Sequence, residues 1–251
     1  FIMVQPVAIL LDMDGVLAEV SQSYRGAILK TCAHFLNSDV VTSELVSAAK
    51  ARGGCNNDWV LSLDLIKEHL PPSATHPTLD DVTAKFEEIY QGTDDTPGLN
   101  CTETLIPSQT LLSSLPSLAP VAIVTGRPRG DCMSFLNLHG LLSLSSLGPD
   151  VPCVCMEDGP AKPSAFPVLK ACELLGVEPG EAVVMVGDTP DDIRAAIKAG
   201  CTGVGVATPD EYRKALEAGK GPEDTNLGKA MMDCGAKKVM KPGLDELPDL
   251  F

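Results

Sequence analysis

The stretch Val7–Leu17, VAILLDMDGVL, constrains the fold of this chain more than any other. A short, uninterrupted, branched apolar run that stops at a polar turn has the character of a strand buried on both faces, as in the interior of a parallel sheet. It delivers two carboxylates, Asp12 and Asp14, on alternate positions. Side chains two apart share a face of a strand, so both sit together where the strand ends, and Gly15 lets the chain turn away. Paired carboxylates repel unless a cation or a proton-transfer task compensates them, so this strand end is the first candidate for chemistry.

The remainder has two characters. From about residue 22 to 91 the periodicity is helical, with no convincing strand. Trp59, Leu63, Ile66 and Leu70 mark one helix face, and Thr78 followed by LDDVTAKFEEIYQ reads as a helix start with acidic residues in its first turn. Residues 92–97 (GTDDTP) read as a turn-rich linker. After about residue 102, strand-like runs (VAIVT at 121–125, PCVCM at 152–156, AVVMVGD at 182–188, GVGVA at 203–207, KKVM at 237–240) alternate with helical ones near 131–138, 164–175 and 193–200. Such alternation predicts an α/β fold, a Rossmann-like parallel sheet core with helices on both faces. The expected division is a core domain of residues 1–19 and 102–251 with an inserted all-helical cap domain, residues 20–101. An insert that begins so soon after Asp14 should lie over the strand end as a lid.

Composition narrows the partners. A net charge of −15 without basic clusters excludes a nucleic-acid footprint. No run nears the roughly 20 apolar residues that a membrane-spanning helix needs. The apolar start, broken by Gln5 and Pro6, does not read as a signal peptide. Nine scattered cysteines, odd in number, read as free thiols, with Cys153 and Cys155 as small core residues. The four histidines lack metal-ligand spacing. The expectation is the cytoplasm or another reducing compartment, or an organelle reached through a removed targeting segment, with neither nucleic acid nor membrane as partner. Oligomeric state is not legible.

Parallel sheets gather functional groups at strand C-termini, and Asp12, Thr125 and Asp188 each stand where an apolar run stops. Together they suit phosphate transfer. Asp12 and Asp14 supply a nucleophile and a proton carrier. The Thr125 hydroxyl and the Gly126 N–H suit phosphate oxygens. Lys162, in AKPS, supplies a fixed positive charge, and Asp188, with Asp191 and Asp192 close behind, supplies hard oxygen ligands for Mg²⁺. Asp191 reads either as part of this set or as a first-turn helix charge facing solvent, the solvent-facing reading being favoured.

In this order the motifs resemble the haloacid dehalogenase (HAD) superfamily, in its phosphoglycolate phosphatase/β-phosphoglucomutase-like subgroup with a helical cap after the first motif. The D-x-D-G-[VT] signature is Asp12–Val16, the second is Thr125 after a hydrophobic strand, the third is Lys162, and the fourth, G-D-x-x-x-D, is Gly187–Asp192. The resemblance implies that Asp12 attacks phosphorus to form an aspartyl phosphate, and that Asp14 protonates the leaving oxygen and then activates water. It implies that Thr125 and the Gly126 N–H bind phosphate oxygens while Lys162 neutralises transition-state charge. It also implies Mg²⁺ as cofactor, held by Asp12, the Asp14 carbonyl and Asp188, with Asp192 orienting the shell. An acid at position 14 favours phosphate esters over carbon–halogen bonds and over phosphonates.

Within the insert, ARGGCNNDWV (residues 51–60) is the candidate substrate-reading loop, with Arg52, Gly54, Asn56, Asn57 and Trp59 as contacts and Lys50 as a further one. A Gly-terminated helix followed by an Asn cap is the alternative, and both can hold together. The loop differs from the K-G-x-S-R type of β-phosphoglucomutase-like relatives. Arg127 and Arg129, in TGRPRGD, read either as binders of a further anionic group on the substrate or as exposed helix-start residues. The expected function is a Mg²⁺-dependent phosphatase acting on a small-molecule phosphate ester, such as a sugar phosphate, phosphoglycolate or an amino-alcohol phosphate like histidinol phosphate. The alternatives are a phosphomutase of the β-phosphoglucomutase type and a non-catalytic binding or regulatory module. The last would have no need of both Asp12 and Asp14.

Overall fold

The first apolar run forms β1 (Ala8–Leu11), buried throughout, in a computed structural model that describes residues 4–71 and 73–251. The further strands are β2 (Ala18–Glu19), β3 (Gly92–Thr93), β4 (Thr96–Pro97), β5 (Thr104–Leu105), β6 (Val121–Val124), β7 (Cys153–Val154), β8 (Val183–Gly187), β9 (Thr202–Val206) and β10 (Val239–Met240). The helices are α1 (Tyr24–Leu36), α2 (Ser43–Arg52), α3 (Asp58–His69), α4 (Leu79–Gln91), α5 (Gln109–Leu118), α6 (Arg129–Leu138), α7 (Phe166–Leu175), α8 (Pro190–Lys198), α9 (Pro209–Glu217) and α10 (Asn226–Asp233).

The main sheet runs β10-β9-β8-β1-β6-β7 and is parallel throughout, with Leu10 in register with Ala122 on one side and Met185 on the other. The chain builds β6 and β7 on one side of β1, then returns to build β8, β9 and β10 on the other. Strand order therefore reverses at β1, which opens a crevice at the strand C-termini there. Alternation sorts the core onto two faces. Ile9, Leu11, Ile123, Val184 and Val186 share a core with Leu112 and Leu115 of α5 and Phe135 and Leu136 of α6. Ala8, Leu10, Val124, Val183 and Met185 share another with Val168 and Ala171 of α7 and Ala195 and Ala196 of α8. This is the two-sided burial that continuous apolar strands predict.

Helices α1–α4 lie between β2 and β5. Ile28 of α1, Ile66 of α3 and Phe86 and Tyr90 of α4 are buried, and α1 packs on both α3 and α4. The predicted stripe is present on α3: Leu63 and Ile66 are buried, with Trp59 and Leu70 packed against that core. Thr78 starts α4 with a reciprocal capping box to Asp81. The turn-rich segment is a small hairpin of β3 and β4. β2 pairs antiparallel with β5, and the Ile106 N–H donates to the Leu17 carbonyl at 2.8 Å, so the helical segment leaves and rejoins through adjacent strands. Sequence reading found no strands there because two-residue strands carry no periodicity. α2 packs against α10 and α8. All nine cysteines are free, and no described helix is long and apolar enough to cross a membrane.

Candidate active site

The end of β1 is held in register by the Asp12 N–H, which donates to the Val186 carbonyl at 2.9 Å, while the Asp12 carboxylate accepts from the Met13 N–H at 2.8 Å. Next to it β8 ends at Gly187 and presents Asp188. The start of α8 then folds Asp192 inward through a capping box. Its Oδ2 accepts from the Thr189 N–H and hydroxyl at 3.0 and 2.7 Å. Two glycines make room for these carboxylates. A Cβ on Gly15, whose φ is +74°, would stand 2.3 Å from Asp188 Oδ2, and one on Gly187 would stand 2.1 Å from Asp192 Cγ. Gly187→Ala is therefore expected to destabilise the fold by about 1–3 kcal/mol and to weaken divalent-cation binding; a thermal melt and calorimetric titration with Mg²⁺ check both.

Asp12, Asp188 and Asp192 each bring an oxygen within 4.8 Å of the other two, and all three are buried. Lys162 Nζ lies 2.8 Å from Asp12 Oδ1 and 2.6 Å from Asp192 Oδ1, and donates to the Val124 carbonyl at 3.1 Å. Burial pushes the Asp12 carboxyl well above the usual range; Lys162 pulls it back, and Asp192, Asp188 and Asp14 push it up again. Burial likewise pushes Asp188 up to about 7 against the pull of Arg25. Burial alone would lower the Lys162 ammonium, but Asp12 and Asp192 outweigh it and raise it. Three close, buried, oxygen-only donors facing one ammonium fit a hard divalent cation such as Mg²⁺, which would relieve their mutual repulsion. A second cation stands at the edge: Arg25 of α1 reaches Asp188 Oδ2 at 3.0 Å and lies 3.6 Å from Asp210.

The Asp14 carboxylate does not join this group. Its Oδ1 accepts from Arg127 Nε at 2.7 Å, with Nη2 at 2.6 Å. Arg127 is not the exposed helix-start residue of one sequence reading. It is only 2 % exposed. Glu103 clamps its guanidinium at 2.9 and 3.1 Å, the Tyr90 hydroxyl accepts from it at 3.3 Å, and the rings of Tyr24 and Phe135 lie 4.7 and 5.4 Å away. A buried fork of charge persists there because two carboxylates and two rings compensate it. Arg129 is the exposed one, paired with Asp158 at 2.6 Å. Sequence reading missed Arg25, Glu103, Tyr24 and Tyr90. Each is an isolated residue in a helical or linker segment, and only the fold brings it to the site.

The phosphate-binding candidates lie beside this. The Thr125 hydroxyl accepts from the Arg127 N–H at 3.1 Å, and the side chain of Asn56 abuts Gly126, with Nδ2 2.5 Å from where a Cβ would be. The 53–57 loop thus reaches the strand ends. Its other candidates divide. The Gly54 N–H donates to Asp191 at 2.7 Å. Asn57 caps α3, accepting from the Trp59 and Val60 N–H groups at 3.0 and 3.1 Å. Trp59 Nε1 donates to Glu87 at 2.9 Å, Lys50 pairs with Asp58 at 2.8 Å, and Arg52 is exposed at the end of α2. The solvent-facing reading of Asp191 is corrected: at 3 % exposure it lies beneath this loop. A cavity of about 20 Å³ remains among Asp14, Asn56, Trp59, Gly126 and Met156. One of about 640 Å³ lies beyond Arg25, between α2 and α9, and none of Asp12, Asp188 and Asp192 lines it.

Known proteins share this architecture. A family profile described as haloacid dehalogenase-like hydrolase matches residues 7–200. An imidazoleglycerol-phosphate dehydratase of Phytophthora nicotianae is 46% identical over 99% of this chain, which spans 53% of that protein, about half its length. A phosphoglycolate phosphatase of Pectobacterium atrosepticum is 26% identical over 82% of each chain. The solved structure of a predicted phosphoglycolate phosphatase of Haemophilus somnus is similar in fold, with a TM-score of 0.70 at 19% identity over 99% of both chains. The matched profile covers both sides of the crevice, from β1 through α8, and on that basis the chain belongs to the haloacid dehalogenase-like hydrolase family.

Proposed function

We propose that the chain is a Mg²⁺-dependent phosphatase that hydrolyses a small phosphorylated metabolite through an aspartyl-phosphate intermediate. The observation that carries this reading is the convergence of Asp12, Lys162, Asp188 and Asp192 at the neighbouring C-terminal ends of β1 and β8, with Lys162 beside Thr125. Residues 1–19 and 102–251 act as the core domain and residues 20–101 as the helical cap. Asp12 attacks phosphorus and the ester P–O bond breaks, with Asp14 giving its proton to the departing oxygen. Asp14 then takes a proton from water, which attacks the phosphorus and releases phosphate and Asp12. Lys162, the Thr125 hydroxyl and the Gly126 N–H hold the phosphoryl oxygens. Asp12, the Asp14 carbonyl and Asp188, with Asp192 orienting them, would hold Mg²⁺, which when bound would supply positive charge to the phosphoryl group.

Relatives order the substrates to be tried. One is named a phosphoglycolate phosphatase, whereas the relative with 46% identity is named for imidazoleglycerol phosphate. An imidazole-bearing amino-alcohol phosphate such as histidinol phosphate therefore heads the panel, with phosphoglycolate and hexose phosphates beside it. Phosphate release is measured for each with Mg²⁺ and with EDTA. One ester well above the rest, silent in EDTA, is the expected result. Isomerisation of a hexose 1-phosphate would point to a mutase instead, and no release from any ester would defeat the phosphatase reading.

A further inference from the structure

Residues 53–57 stand over the strand ends in a closed position. Asn56 abuts Gly126, and the cavity of about 20 Å³ beside Asp14 has room for roughly one water, so an ester enters only after this loop has moved and is gripped once the loop has returned over it. The contact that holds the loop lies outside the three-carboxylate group. Asp191, which is not one of the three clustered carboxylates, accepts from the Gly54 N–H at 2.7 Å. Arg194, one turn further along α8, lies 3.1 Å from Asp191 Oδ1 and donates to the Arg52 carbonyl at 3.4 Å. The two side chains thus meet one donor and one acceptor at the end of α2, where backbone groups lack helical partners. Gly53 is fitted to them. It holds φ +80°, and a Cβ there would stand 1.7 Å from Arg194 Nη1 and 2.7 Å from Asp191 Oδ1. Because α8 also carries Asp192, the loop is tied to the element that presents the carboxylates.

We propose that Asp191 and Arg194 form a clasp that sets the closed position of the 53–57 loop, and that Asp191 is a positioning residue acting on bound ester through Gly54 and Asn56. This rests on the phosphatase reading above. The hydrogen bond from Gly54 is charge-assisted, which suits a loop that must be held firmly yet released as one unit.

Two readouts test it: hydrogen exchange of the Gly54 amide in the free protein, and steady-state kinetics with p-nitrophenyl phosphate and Mg²⁺. In Asp191→Ala, Gly54 exchange should accelerate on the order of 10- to 100-fold, the loss of one hydrogen bond to a charged group. KM should rise about tenfold for the same reason, with kcat within about twofold of the unaltered protein. Asp191→Asn keeps an acceptor oxygen for the Gly54 N–H and should restore most of both. Arg194→Met should move both in the same direction by less, and it carries the test if Asp191→Ala does not fold. Unchanged Gly54 exchange in both disruptive variants overturns the clasp. So does faster exchange with KM unmoved, or a fall in kcat alone. If the unaltered protein fails to turn over p-nitrophenyl phosphate at all, the phosphatase reading falls, and the exchange data still decide whether the clasp exists.

Discussion

Asp12→Asn is expected to slow phosphate release by at least about four orders of magnitude under the mechanism proposed above, in which an amide oxygen cannot replace the carboxylate as the attacking group. The fold should survive. The amide has the same shape, its oxygen can still accept from the Met13 N–H, and Lys162 keeps its contact to Asp192. Removing one of three crowded, buried carboxylates also relieves repulsion, so the melting temperature measured in EDTA should hold or rise. Single-turnover rates with a thermal melt on the same preparation separate these effects. A rate near that of the unaltered protein would remove Asp12 from the chemistry.

Arg127→Met should produce the largest loss of stability. It leaves Glu103 buried without its charge partner, frees Asp14 and removes the cation that faces the Tyr24 and Phe135 rings. Breaking one side of a buried ion pair costs about 3–5 kcal/mol. For a chain of this size that is a fall of about 10 °C in melting temperature. Arg127→Lys should rescue little, since one ammonium cannot reproduce the fork that bonds Asp14 and Glu103 together. Denaturant titration of the three proteins, with KM measured on each, checks the assignment. If Arg127 instead gripped an extra anionic group on the substrate, Arg127→Met would raise KM and leave stability unchanged.

These two residues also show how far the sequence was legible. Asp12 follows a strand whose unbroken apolar character and abrupt polar end are local properties, so its place at a strand terminus could be read directly. The same holds for Thr125 and Asp188, and for the stripe on α3. Arg127 is different. Its burial depends on Glu103, which follows the helical segment, and on Tyr24 and Tyr90, which lie at opposite ends of it. No spacing rule links positions so far apart. Asp191 departs from expectation for a related reason: first-turn acids usually face solvent, but here the end of α2 lies over that turn. The short ribbon of β2 and β5 escaped because a two-residue strand has no pattern to read.

The central claim, covalent catalysis by Asp12, is tested most directly by acid-quenching a single turnover of ³²P-labelled ester in Mg²⁺ and locating the label by peptide mapping. The account predicts transient, alkali-labile label on the peptide containing Asp12, and none when the same experiment is run on Asp12→Asn. Rapid release of labelled phosphate with no protein-bound label at any time, or label on another residue, would contradict it.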